Sequence, residues 1–125
     1  MAILLNRHGN RSRDTINELD HILKYRLPSY ASFSLEKRMK FCRIMQFATY
    51  PEGKLICKEG QRAENFYFIL SGKIEIFLIK ESFKNRVNVM NPGESIGRIQ
   101  LVNDIRMASI ATLMQTELLC VNKRM

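Results

Sequence analysis

Hydrophobic positions in the first third of the chain recur at helical spacing. Ile16, Leu19, Leu23 and Leu27 fall on one face. Ser12 stands where an N-cap belongs, and acidic Asp14 and Glu18 precede basic Lys24 and Arg26, as the helix dipole prefers. The pattern predicts a helix from Ser12 to about Arg26, stopped by Pro28. A turn over Ser29 to Ser34 then leads to a second helix capped by Ser34. Leu35, Met39, Cys42 and Met45 share its core face, which Phe41 and Ile44 widen. Met and Phe at this spacing read as core filling.

From Phe47 the period changes from helical to alternating. Seven strands are expected: Phe47–Tyr50, Leu55–Lys58, Asn65–Leu70, Lys73–Lys80, Arg86–Met90, Met107–Thr112 and Thr116–Asn122. Each is short and rich in β-branched or aromatic residues. Turn residues fall at the joints: Pro51/Gly53, Gly60, Gly72 and Pro92/Gly93. Ser71-Gly72 signals a tight hairpin. Lys73-Ile74-Glu75-Ile76 alternates, which predicts one wet face, and Lys80 to Arg86 reads as a polar hairpin tip. Many short strands at regular spacing point to a sandwich or barrel.

One stretch, Gly93 to Ala108, carries candidate binding chemistry. Gly97 lets the backbone approach a bound group closely. Ile99 to Asn103 is expected to form a short helical turn whose first N–H groups favour an anion. Arg106 follows, a permanent cation whose fork suits a phosphate. Together these make a cradle for a single phosphate; the bland alternative is a polar loop with a solvated arginine.

Composition narrows the class. A chain of 125 residues with 46% hydrophobic content fits one domain with a real core. No apolar run approaches the roughly 18–20 residues of a membrane span, and Met1–Leu5 is too short for a signal peptide's apolar region. Cys42, Cys57 and Cys120 lack metal-ligand spacing and suit reduced thiols, so a cytoplasmic location is the default. The net charge of +8 draws heavily on the N-terminal part, where nine Lys/Arg face four Asp/Glu over residues 1–50. Met1 to Arg11 is expected to be a disordered basic arm. Arg7, Arg11 and Arg13 would otherwise suggest nucleic acid or anionic lipid, but no helix-turn-helix, zinc finger or stacking platform supports that. Catalytic motifs are also lacking: there is no Gly-x-Ser-x-Gly elbow, His-Glu-x-x-His or Walker loop, and His8 and His21 lie far in sequence from other polar clusters.

Several motifs occur in order: Tyr50-Pro51-Glu52-Gly53, Lys58-Glu59-Gly60-Gln61, Phe66-Tyr67-Phe68-Ile69-Leu70-Ser71-Gly72, Pro92-Gly93 and Gly97…Arg106-Met107-Ala108. From about Leu27 onward this series resembles the cyclic nucleotide-binding domain family. The resemblance implies a mainly β fold with N-terminal helices, a β-roll of jelly-roll type. It divides the chain into a basic arm (1–11), a helical segment (12–46) and the roll (47–125). It implies a regulatory module that senses cyclic nucleotide without transforming it, needs no cofactor, and relays its state to a protein partner through the helices. It places the ligand at Gly97, Arg98, Ile99, Gln100, Arg106, Met107 and Ala108. Arg106 would hold the cyclic phosphate, with N–H donors that include Gln100 and Met107. The Gly97 backbone and the side chain of residue 98 would face the ribose.

The chain departs from the family pattern at several points. Arg98 stands where a glutamate usually accepts a hydrogen bond from the ribose 2′-hydroxyl, and a guanidinium has no acceptor. Losing that charged hydrogen bond costs about 1.5–3 kcal/mol, roughly ten- to hundredfold in affinity. The Gly97-to-Arg106 spacing is one residue short of that in the kinase regulatory subunits, and Ile105 replaces the usual proline. The chain ends at Met125 without the family's two lid helices, and so reads as a fragment or short product. Met107 follows the arginine where cGMP-preferring members often carry Thr or Ser, which leans toward cAMP. Three readings result: a cAMP sensor, a degenerate β-roll that docks a protein, and a basic module for nucleic acid or acidic lipid.

Overall fold

The computed structural model describes residues 11–96, 101–102 and 105–122. Among the described residues three helices lead: α1 (Arg13–Arg26), α2 (Pro28–Ala31) and α3 (Leu35–Ile44). Ten strands follow: β1 (Gln46–Tyr50), β2 (Leu55–Cys57), β3 (Asn65–Ser71), β4 (Ile74–Lys80), β5 (Phe83–Met90), β6 (Ser95–Ile96), β7 (Leu101–Val102), β8 (Ile105–Arg106), β9 (Ser109–Thr112) and β10 (Thr116–Asn122).

Both helix starts lie where the serines placed them. Ser12 Oγ accepts from the Thr15 N–H at 3.2 Å, and Ser34 Oγ accepts from the Lys37 N–H at 3.3 Å. Pro28 ends α1 but also begins α2, so part of the expected Ser29–Ser34 turn is helical. Proline's fixed φ suits a first helical position, where no N–H partner is needed. Leu35 is another correction: at the first position of α3 it points outward and is 61% exposed.

The strands form two antiparallel four-stranded sheets, ordered β1-β10-β3-β6 and β2-β9-β4-β5, with a separate β7–β8 ribbon. Alternation in β3 and β10 sorts their side chains between two cores. Phe68, Leu70, Leu119 and Val121 face the helices and pack with Leu19, Leu23, Tyr30 and Met45. Tyr67, Ile69 and Leu118 face the roll interior with Ile74, Ile76, Ile96 and Ile110. Burying a large aliphatic side chain in either core contributes about 1.5–3 kcal/mol. The helical layer also carries a buried polar knot. The Tyr30 hydroxyl donates to Asp20 Oδ1 at 2.6 Å, and Arg38 Nε donates to the same oxygen at 2.9 Å.

Three further expectations change. Arg11 is not part of a solvated arm. It is buried, and its guanidinium donates to the carbonyls of Cys42 at 2.8 Å and Met45 at 2.5 Å, at the C-terminal end of α3. Those carbonyls lack partners within the helix, and a cation suits the negative end of its dipole. The remaining arm residues, 1–10, lie outside the described residues.

The outer face of β4 is not wet at Glu75 and Phe77 either. Glu75 is 3% and Phe77 9% exposed, because Lys84 and Arg86 of β5 reach over them. Lys84 Nζ lies 4.8 Å from the Phe77 ring centroid. The tip of the β4–β5 hairpin is only Glu81-Ser82, since pairing runs to Lys80 with Phe83. Both tip residues have positive φ, 52° and 68°.

Candidate functional site

Arg106 anchors the candidate site. The structure builds it from β8 and the turn between β2 and β3. The Arg106 N–H donates to the Gln61 carbonyl, and the Arg106 carbonyl accepts from the Gly60 N–H, each at 2.9 Å. Gly60 makes this turn with φ 87°, a region that favours glycine. Ile105 forms an isolated bridge with Arg62. Leu101–Val102 pairs with Ile105–Arg106 as an antiparallel ribbon, so the helical turn expected over Ile99–Asn103 is corrected at Leu101 and Val102. Ladder bonding to β8 satisfies backbone groups that a single helical turn would leave open. The other residues of that expected turn, Ile99, Gln100 and Asn103, lie outside the described residues.

The Arg106 side chain turns inward and is only 2% exposed. Its Nη2 donates to the Asn65 carbonyl at 2.7 Å. It borders a cavity of about 420 Å³, which Cys57, Arg62, Ala63, Asn65 and Tyr67 also line. The Asn65 side-chain amide donates to the Tyr67 hydroxyl at 3.3 Å. Cys57, from β2, shares this cavity wall with Tyr67 and Arg106. Burial pushes the Cys57 thiol up, against the opposing pull of the Arg106 charge. It pushes the Tyr67 hydroxyl up as well. Both neighbours therefore stay neutral beside the guanidinium at neutral pH.

The other expected site residues divide. Ala108 is buried in the roll core. Met107 is 51% exposed, in the bend between β8 and β9, so the strand expected from Met107 begins at Ser109 instead. Gly97, Arg98, Ile99 and Gln100 lie outside the described residues. Asn65, Cys57 and Tyr67 were missed by the sequence reading. Alternation offered one signal: Phe66 and Phe68 on one face of β3 leave Tyr67, with its hydroxyl, on the interior face. Ser109 was also missed. Its buried hydroxyl accepts from the Glu59 N–H at 3.0 Å and ties β9 to the same turn.

The description "Cyclic nucleotide-binding domain" belongs to the family profile that matches residues 47–125. The chain belongs to that family. Among curated relatives, the cAMP-dependent protein kinase regulatory subunit of Debaryomyces hansenii is 32% identical over 84 residues, 66% of this chain and 18% of that protein. The corresponding subunit of Pyricularia oryzae is 26% identical over 122 residues, 97% of this chain and 30% of that protein. The chain thus spans less than a third of the length of either relative. Among solved structures, the cAMP-bound regulatory domain of Toxoplasma gondii PKA superposes with a TM-score of 0.74 at 19% identity, covering 93% of this chain and 44% of that one. The Thermus thermophilus catabolite activator protein gives 0.64 at 26% identity, covering 78% and 46%. The Toxoplasma likeness speaks to the fold, which is the β-roll of this family. No helix among the described residues is long and apolar enough to cross a membrane.

Proposed function

We propose that this chain is a non-catalytic, cyclic nucleotide-binding regulatory module whose ligand is cAMP. The observation that carries the reading is Arg106: a buried guanidinium, hydrogen-bonded to the Asn65 main-chain carbonyl, that borders a cavity in the β-roll of this family. A cyclic phosphodiester is a monoanion, and a buried fixed cation gains more from it than a solvated one would. Gly97, Arg98, Ile99, Gln100, Met107 and Ala108 would complete the contacts, as the resemblance assigns them. The thioether of Met107 has no hydroxyl to offer a guanine, which favours cAMP over cGMP.

A non-catalytic role suits the titratable groups described. Burial pushes the Cys120 thiol up to about 11 and raises that of Cys57, so neither is a ready thiolate nucleophile. Free thiols suit a reducing cytoplasm. A nucleic-acid role loses one of its basic residues, because Arg11 is spent on the end of α3. A protein partner is expected on the outer side of the helices, where Tyr25 is 90% and Leu35 61% exposed.

Isothermal titration of the chain with cAMP and cGMP tests this reading. Binding of cAMP is expected, with cGMP weaker. Arg106→Ala should reduce cAMP affinity by roughly tenfold to a hundredfold, as loss of a charged hydrogen bond does. Arg98→Glu should tighten binding by restoring the ribose acceptor. Absence of heat from either nucleotide at millimolar concentration would refute the proposal and leave the roll as a protein-docking module.

A further inference from the structure

Helix α3 turns an outer surface of mostly one sign to solvent. Its exposed polar residues after the Ser34 cap are Glu36, Lys37, Lys40 and Arg43. At 3.6 residues per turn these four share one arc of roughly 120°, and the three cations follow one another at three-residue spacing over about 9 Å. None of the three forms an ion pair among the described residues. Lys37 Nζ instead lies 5.9 Å from the Phe33 ring centroid. The fourth cation of the helix, Arg38, is turned inward and spent on Asp20 and the Phe33 carbonyl. Arg11 covers the carbonyls at the end of α3, beside Arg43 in its last turn. Helix α1 differs: it exposes Arg13, Lys24 and Arg26 together with Asp14 and Glu18.

We propose that the outer face of α3 is a docking surface for a protein partner that presents carboxylates at helical spacing. This rests on the reading of the helices as the partner-facing layer, and it does not depend on nucleotide binding. Charge complementarity selects the sign of the partner, and the size of the patch selects its class. Anionic lipid is recruited by clusters of roughly four to eight Lys/Arg or by an apolar helix face that inserts. α3 offers three exposed cations, and its apolar Met39, Phe41 and Cys42 belong to the helix-side core. Nucleic acid is held through roughly six to ten phosphate contacts, more than this patch supplies. A protein interface needs only a few charges to set orientation and approach rate, with apolar area beside them. Leu35, 61% exposed at the first position of α3, supplies apolar area. The helix is fastened at its start by Ser34 and at its end by Arg11, so it meets a partner already ordered, which lowers the cost of binding.

The test uses the full chain, and the probe is an alanine-based helical peptide with glutamates at three- and four-residue spacing; its lysine counterpart is the control. Backbone amide shifts locate binding on the wild-type chain, and fluorescence anisotropy of the labelled peptide gives affinity. Two variants of equal net charge are compared: Lys37→Glu/Lys40→Glu/Arg43→Glu on α3, and Lys54→Glu/Lys73→Glu/Lys80→Glu at exposed positions of the roll. A neutral variant, Lys37→Gln/Lys40→Gln/Arg43→Gln, removes the charge without adding repulsion. The acidic peptide is expected to shift amides of α3, and the lysine peptide is expected not to bind. Reversal on α3 should weaken binding by roughly tenfold or more and the neutral variant by several-fold, while reversal on the roll should change it less than either. Equal losses in the two reversed variants, shifts centred on the roll, or no binding at millimolar peptide would overturn the proposal. Tighter binding to phosphatidylserine vesicles or to a single-stranded oligonucleotide, lost on α3 reversal, would overturn it in favour of lipid or nucleic acid. If the peptide docks on α3 while cAMP gives no heat, the nucleotide reading fails and the docking surface stands.

Discussion

Glu75 illustrates how a single side chain can defy an alternating pattern. Its place between Ile74 and Ile76 predicts a solvated carboxylate, yet Lys84 and Arg86 from the next strand cover it. Burial pushes its carboxyl up, but hydrogen bonds from those two cations outweigh burial and hold it below the ordinary value of 4.5. A carboxyl held lower in the folded state contributes stability above its unfolded pKa. That contribution is lost as pH falls through the folded value. Glu75→Gln is therefore expected to lower stability at pH 7 by about 1 kcal/mol, since both cations are half-exposed and screened. Below pH 4.5 the difference from wild type should shrink. Urea unfolding midpoints at several pH values check this, and a difference independent of pH would refute the ion-pair account.

At the scale of elements, most of the strands and both long helices were readable from periodicity and caps. The misses are local and share a cause. The β4–β5 hairpin runs to its two-residue tip because pairing continues through Lys84 and Asn85, which no hydrophobic pattern marks. The Leu101–Val102 segment is apolar and too short for either period to show, and its pairing with β8 decided the outcome. The tip itself suggests a substitution. Ser82 has φ 68°, where a side chain is strained and glycine is not. Ser82→Gly is expected to stabilise the chain by about 0.5–1 kcal/mol, seen as a melting point raised by a few degrees. A lower melting point would mean that the serine makes a compensating contact.

Arg11 matters at the scale of the whole molecule. It fastens the entry to α1 onto the junction where α3 ends and β1 begins. Two hydrogen bonds from a charged donor to carbonyls at a helix end are involved, and removing the donor leaves those acceptors buried. Arg11→Ala should destabilise the protein by about 2–3 kcal/mol, measurable by chemical denaturation. Hydrogen exchange in the last turn of α3 should rise more than in β3 or β10. Uniform acceleration across the helices and the roll would instead mean that the two layers unfold as one unit.

Local order alone carried much of the description. The serine caps, the face Ile16–Leu19–Leu23, the switch to alternation near Phe47 and the ordered glycine turns are properties of neighbours within a few residues. Short-range sterics and periodicity express such properties directly. That is why the fold class could be read before any coordinates. Only the tertiary structure decided what lay between segments distant in sequence. Packing brought Cys57, Asn65, Tyr67 and Arg106 around one cavity, put Arg11 on a helix end and covered Glu75 with a neighbouring strand. Each of these depends on contacts across strands or layers, where hydrogen-bond partners and burial are set by which surfaces meet, and a linear pattern of hydrophobic and polar residues does not encode that meeting residue by residue.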